Sequence, residues 1–287
     1  MKKVLFITLL FILSKSYSQT KYDIFDELIV KADSLKKIED YKLALKKYNE
    51  ALKVLTPNSS TPFFDAAFSS IKLNNKRNAK KWIIDGIVKG GAKLDYLKNY
   101  EGFSNIQTEK YYLEIIENYN KYRQIYFSNL KNIDIYFEIE ELVNRDQFSR
   151  KLEDYYTNRS EEEISLAFNN LIKAQNENDT LLIKKYQKIL YPKTDKDRNI
   201  IYSTIMNNVD KLNIERLMEI TKLFGWQERA WLILWHQRTL YDEDNYIWNF
   251  FKPIINKEIE EGKLSRNFWK PFDNFKKQFE EIKKQYK

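Results

Sequence analysis

Apolar residues recur at spacings of three and four along most of the chain and hardly ever alternate one in two. That pattern predicts helices and leaves few segments able to form strands, so the expected fold class is all-α. Leu28, Ala32 and Leu35 mark the inner face of one N-terminal helix; Tyr41, Ala44, Tyr48, Ala51 and Leu52 mark that of the next, with a turn near Ile38 to Asp40. A second pair comes next, with Phe63, Ala67 and Ile71 and then Ala79, Ile83, Gly86 and Ile87. Gly90-Gly91 and residues 94–106 read as a turn-rich bridge, after which Tyr111, Ile115, Tyr119, Tyr122 and Tyr126 draw an aromatic stripe along 108–130. Beyond Ile133, helices are expected at about 133–156, 161–175, 178–190, 196–208, 213–224, 226–240, 244–261 and 267–286. Pro192, Gly225, Pro253 and Gly262 punctuate them, and Pro253, inside a helical pattern, predicts a kink or a restart.

The N-terminal pairs resemble the tetratricopeptide repeat, a 34-residue helix-turn-helix with small residues where helices cross closely. Ala44 and Ala79 stand 35 residues apart, while Glu39 occupies a place where the repeat prefers glycine and Pro57 comes one position late. Two repeats fall short of the three or so that such stacks need, so the tyrosine-rich helix is expected to cover the open face. The resemblance implies a groove offered to a protein or peptide partner; the alternative is a stack that only supports the C-terminal domain.

The stretch Gly225 to Leu240 holds half of the six tryptophans and the only histidine. Ala230 to Trp235 is apolar on every side, which predicts a central helix packed all round. On that reading Trp231→Ala would cost roughly 3–5 kcal/mol. Asp146, Gln147, Arg150, Asn213, Arg216 and His236 form the candidate polar cluster. Each has a structural explanation: Asp146 and Arg150 as an i,i+4 pair, Asn213 or Asp210 as a helix cap, His236 as a buried neutral imidazole. The functional alternative is a shared pocket in which Arg150 and Arg216 fork onto a carboxylate or phosphate and His236 exchanges a proton.

Asp146-Gln147-x-x-Arg150, Asp210-x-x-Asn213 with Leu217, Gly225-Trp226 and an apolar helix ending in His236 are together similar to the landmarks of an uncharacterised family of exported bacterial proteins, in which an all-helical domain follows tetratricopeptide-like repeats. Members often carry an Asp-Arg pair beyond the segment like Glu260 to Gly262; here the place reads Phe272-Asp273-Asn274. The family has no established activity, so the resemblance implies an architecture and no reaction.

Composition adds an address and removes several chemistries. Lys2 and Lys3, the apolar run Val4 to Leu13, and Ser16 and Ser18 form a secretory signal pattern, with cleavage expected after Ser18. The expected layout is a signal peptide at 1–18, repeats and bridging helix at 19–130, and a helical domain at 131–287, with no transmembrane segment in the mature chain. With no cysteine there is no disulfide and no thiol nucleophile. One histidine cannot build a His-rich metal site, and neither a phosphate-binding glycine loop nor a Gly-x-Ser-x-Gly elbow occurs, so no metal or cofactor is expected. The formal charge of +8 is spread among opposite charges and lacks a basic-aromatic motif, which argues against nucleic acid. The expected function is an exported, non-catalytic interaction or ligand-binding protein that takes an anionic small ligand or a peptide. The alternative is an envelope hydrolase using Asp146 and His236, since carboxylate-based glycan cleavage survives these exclusions. At the C-terminus, Phe268, Phe272, Phe275, Phe279, Ile282 and Tyr286 form a seam expected to dock on the chain's own helical domain, with a partner or membrane surface as the alternatives.

Overall fold

The computed structural model describes residues 19–157, 160–190, 200–241 and 244–285, and it is all-α, with no strand among the described residues. The signal segment 1–18, Pro192 and Tyr286 lie outside the described residues, as does the side chain of Ile282. The chain divides into two compact units, one running to Lys131 and including Ile255–Lys270, the other formed by Asn132–Ile254 and the segment from Pro271 onward.

In the first unit α1 (Lys21–Lys37) pairs with α2 (Tyr41–Val54), and α3 (Thr61–Lys72) pairs with α4 (Lys76–Val88). The two hairpins close with the same turn. Glu39 and Asn74 both adopt a left-handed backbone, at φ 62° and 55°. The next residue's amide reaches back five positions, Asp40 to the Leu35 carbonyl at 3.0 Å and Asn75 to that of Ser70 at 2.8 Å. Asp40 and Asn75 then cap the second helix, accepting from the amides of Leu43 and Asn78. Gly86 lets α4 press on α3, since a β-carbon there would stand 2.5 Å from the Phe64 ring.

The bridge is no loose linker. α5 (Leu94–Asn99) and a 3-10 turn (Glu101–Ile106) bury Leu97, Phe103 and Ile106 in the same core as Tyr48, Phe63 and Ile83. The tyrosine stripe divides at Asn118 into α6 (Lys110–Glu117) and α7 (Tyr119–Ser128), and both pack on α4, covering the second hairpin. Ile255–Lys270 completes this unit. Leu264 is buried, Asn267 donates to Asp26 at 3.0 Å, Ser265 bonds the same carboxylate, and Arg266 pairs with Asp23.

The second unit is built on α8 (Ile133–Thr157), α9 (Glu161–Asn176), α10 (Thr180–Leu190), a π turn (Ile201–Met206) leading into α11 (Asn207–Phe224), and α12 (Trp231–His236). α13 (Tyr246–Glu260) runs through Pro253 without a restart, and α14 (Lys270–Gln285) closes the chain. Two sequence expectations change here. No break separates 208 from 213, so Asp210 and Asn213 are interior residues of one helix and cap nothing. The central helix is also only six residues long, flanked by 3-10 turns at Glu228–Ala230 and Arg238–Leu240, and it is not buried all round. Ala230, Ile233 and Leu234 are buried, whereas Trp231 and Trp235 are half-buried, stacked on each other at 5.1 Å. Phe272 of α14, fully buried, meets both indoles edge-on and also touches Tyr241 and Trp248. Of the C-terminal seam, Phe272 and Phe275 therefore pack on this unit's own indoles, while Phe268 belongs to the first unit.

Candidate functional site

The inner face of α8 reads Ile135, Ile139, Leu142, Asp146 and Ser149, at spacings of four, three, four and three. Two polar residues thus occupy core positions of an apolar stripe. Asp146 is only 1% exposed. Its Oδ1 forms an ion pair with Arg150 Nη1 at 3.0 Å and lies 2.9 Å from His236 Nδ1; its Oδ2 accepts from the Gln147 side-chain amide at 2.7 Å, and its backbone carbonyl accepts from Arg150 Nη1 at 3.3 Å. Ser149 is satisfied by the Asp146 carbonyl at 2.8 Å.

Arg150 turns its fork on a second carboxylate. Nη1 and Nη2 donate to Asp210 Oδ1, and Nη2 also to Oδ2, all at 3.0 Å. Burial pushes the Asp210 carboxyl above its ordinary value of 3.8; Arg150 pulls it partly back, and the Asp146 charge adds to the rise. The network Asp210–Arg150–Asp146–His236 therefore ties together α11, α8 and the end of α12, with two anions sharing one guanidinium. The 2.9 Å contact between His236 Nδ1 and Asp146 Oδ1 fixes the ring orientation. His236 Nε2 meets no hydrogen-bond partner among the described residues.

Four of the six residues singled out from the sequence, Asp146, Gln147, Arg150 and His236, thus meet in one network. Asn213 and Arg216 do not join it. Asn213, fully buried, donates to the Leu142 carbonyl at 3.0 Å and accepts from Arg145 Nε at 2.9 Å. Arg216 is exposed, held at 2.5 Å by Glu138 and at 2.5 Å by Glu219, which raise its already high pKa. Arg150 and Arg216 therefore face different carboxylates and share no partner. Sequence reasoning missed three residues, Asp210 as the partner of Arg150, Arg145 as the partner of Asn213, and Glu138 as the partner of Arg216. The signal was present in the Asp210-x-x-Asn213-x-x-Arg216 spacing, which places all three along one side of a continuous α11.

Between α8 and α11 lies an open cleft of about 470 Å³ lined by Glu138, Glu141, Leu142 and Arg145 of α8 and Arg216 of α11. Among the described residues no group of acidic or histidine side chains could hold a metal ion, and no helix is long and apolar enough to cross a membrane. Compared with known proteins, the chain matches no family model, no curated protein and no solved structure.

Proposed function

We propose that this is an exported, non-catalytic interaction or ligand-binding protein. The observation that carries the proposal is the α9–α10 hairpin. Its helices pack chiefly on each other, burying Ala167, Leu171 and Ala174, yet Leu166, Phe168, Ile172, Leu181 and Ile189 stay between 38% and 79% exposed. Large apolar side chains gathered on one element and left in water mark a contact surface more often than chance exposure does. The hairpin turns through Asn178 at φ 54° with Asp179 as its cap, the same geometry as the two N-terminal hairpins. The 35-residue recurrence of that turn between Glu39 and Asn74 supports the tetratricopeptide-like reading and a peptide partner. Export rests on the Met1 to Ser18 signal pattern, and membership of the exported helical family on the residues quoted for it.

The test is a thermal-shift screen against envelope-derived peptides, glycans and nucleotides. A ligand at 100 times its dissociation constant should add about 2.7 kcal/mol. A stabilising compound is expected to lose its effect in a Phe168→Asp/Leu181→Asp double variant that keeps its helical circular dichroism. Retention of the shift there would remove the hairpin as the surface, and conversion of the compound into a product would overturn the non-catalytic reading.

A second reading, an envelope hydrolase, is favoured by the 2.9 Å contact between Asp146 and His236, because a buried carboxylate that orients an imidazole is how hydrolytic bases are held. On that reading His236→Gln would abolish turnover of an envelope glycan or peptide while leaving the fold intact.

A further inference from the structure

We propose that the cleft between α8 and α11 binds a small zwitterion, the Arg145 guanidinium taking the ligand's carboxylate and the Glu141 carboxylate its ammonium group. This goes beyond the function proposed above and uses neither the α9–α10 hairpin nor the Asp146 network. At about 470 Å³ the cleft falls in the roughly 300–1,000 Å³ range of small-ligand sites.

What distinguishes it is how its charges are spent. Glu138 and Arg216 are committed to each other across the two helices. Glu141 and Arg145 stand in the order and at the i,i+4 spacing that ordinarily gives a helix ion pair, yet none joins them. Arg145 instead gives its Nε hydrogen to Asn213 Oδ1. Asn213 is fully buried and its amide nitrogen is spent on the Leu142 carbonyl, so the oxygen that holds Arg145 is a fixed anchor. An arginine tethered through Nε keeps its two Nη groups side by side, the edge that matches a carboxylate bidentately. Among the described residues neither those Nη groups nor the Glu141 carboxylate has a partner. The lining carries two carboxylates and two guanidinium groups, so a lone anion or cation meets repulsion as well as attraction. A molecule bearing both charges satisfies both. The Cβ atoms of such a pair stand about 5–6 Å apart, a span that an amino acid or dipeptide bridges.

Nuclear magnetic resonance titration of the full chain with glycylglycine tests the site, with sodium acetate and ethylammonium chloride as single-charge controls. Saturable binding of glycylglycine is expected, weakened about tenfold or more in Arg145→Gln, in Glu141→Gln and in Arg145→Lys, which keeps the charge and loses the fork. Lys211→Gln, an exposed charge on α11 outside the cleft lining, should leave affinity unchanged. The substituted side chains are exposed, and circular dichroism verifies that each variant keeps its fold. The proposal is overturned by absence of saturable binding, by either control binding as tightly as glycylglycine, or by undiminished affinity in Arg145→Gln.

Discussion

A single carboxylate, Asp146, decides how three elements of the second unit meet. Removing one partner from a buried charged network leaves the others without compensation, and Asp146→Ala is expected to cost about 3–5 kcal/mol in urea unfolding. Arg216→Ala, at an exposed pair, should leave the melting temperature nearly unchanged; a loss equal to that of Asp146→Ala would mean that the two sites are energetically one. Asp210 adds a dependence on pH. Because burial raises its pKa above 3.8, the folded protein binds this proton more tightly than the unfolded chain does. Ionised Asp210 thus costs stability at neutral pH, and the cost is relieved as the pH falls through the raised value. Unfolding at about pH 7 and about pH 4 should show wild type gaining on Asp210→Asn upon acidification; a gap that moves the other way would contradict the assigned shift. The contact of Asp146 with Arg150 is legible from their spacing, whereas the burial of Asp146 is not. The spacing of Asp210, Asn213 and Arg216 shows that they share a helix face, but not that Asp210 meets Arg150, which lies 60 residues away.

Among the elements, the hairpin turns are where local sequence and backbone agree least evenly. Asn74 and Asn178 suit a left-handed backbone, whereas Glu39 adopts φ 62° against its preference. Glu39→Gly should raise stability by about 0.5–1 kcal/mol, the strain relieved less the extra entropy of unfolded glycine; thermal unfolding would register destabilisation if Glu39 held the turn by its side chain. The tryptophans divide in a way their sequence grouping conceals. Trp248, 1% exposed, packs on Tyr241 and Phe272, while Trp231 keeps one side toward solvent. Trp248→Ala should therefore cost about 3–5 kcal/mol, and Trp231→Ala less, by denaturant titration. Equal losses would restore the fully packed central helix that the run Ala230 to Trp235 predicts.

For the whole molecule, the division into units cuts across the C-terminal seam. Phe268 belongs to the first unit and Phe272 onward to the second. With Phe272 fully buried and Phe275 against Trp235, the amides from Phe272 to Phe279 should exchange slowly in the isolated full chain; exchange at free-peptide rates there would mean that the seam awaits another partner. Sequence alone determined the helical class, the positions of the two N-terminal helix pairs and the pairing of Asp146 with Arg150 on one helix. All of these come from local periodicity and turn chemistry, which act over one or two turns. Only the tertiary structure decided that α11 runs unbroken past Asp210, that Ile255–Lys270 joins the first unit, and that Arg150 and Arg216 serve different carboxylates. It also decided that Asp146 finds His236 across 90 residues of chain. Such meetings depend on how helices cross, and the spacing of apolar residues within one helix carries no record of which face of a distant helix will lie against it.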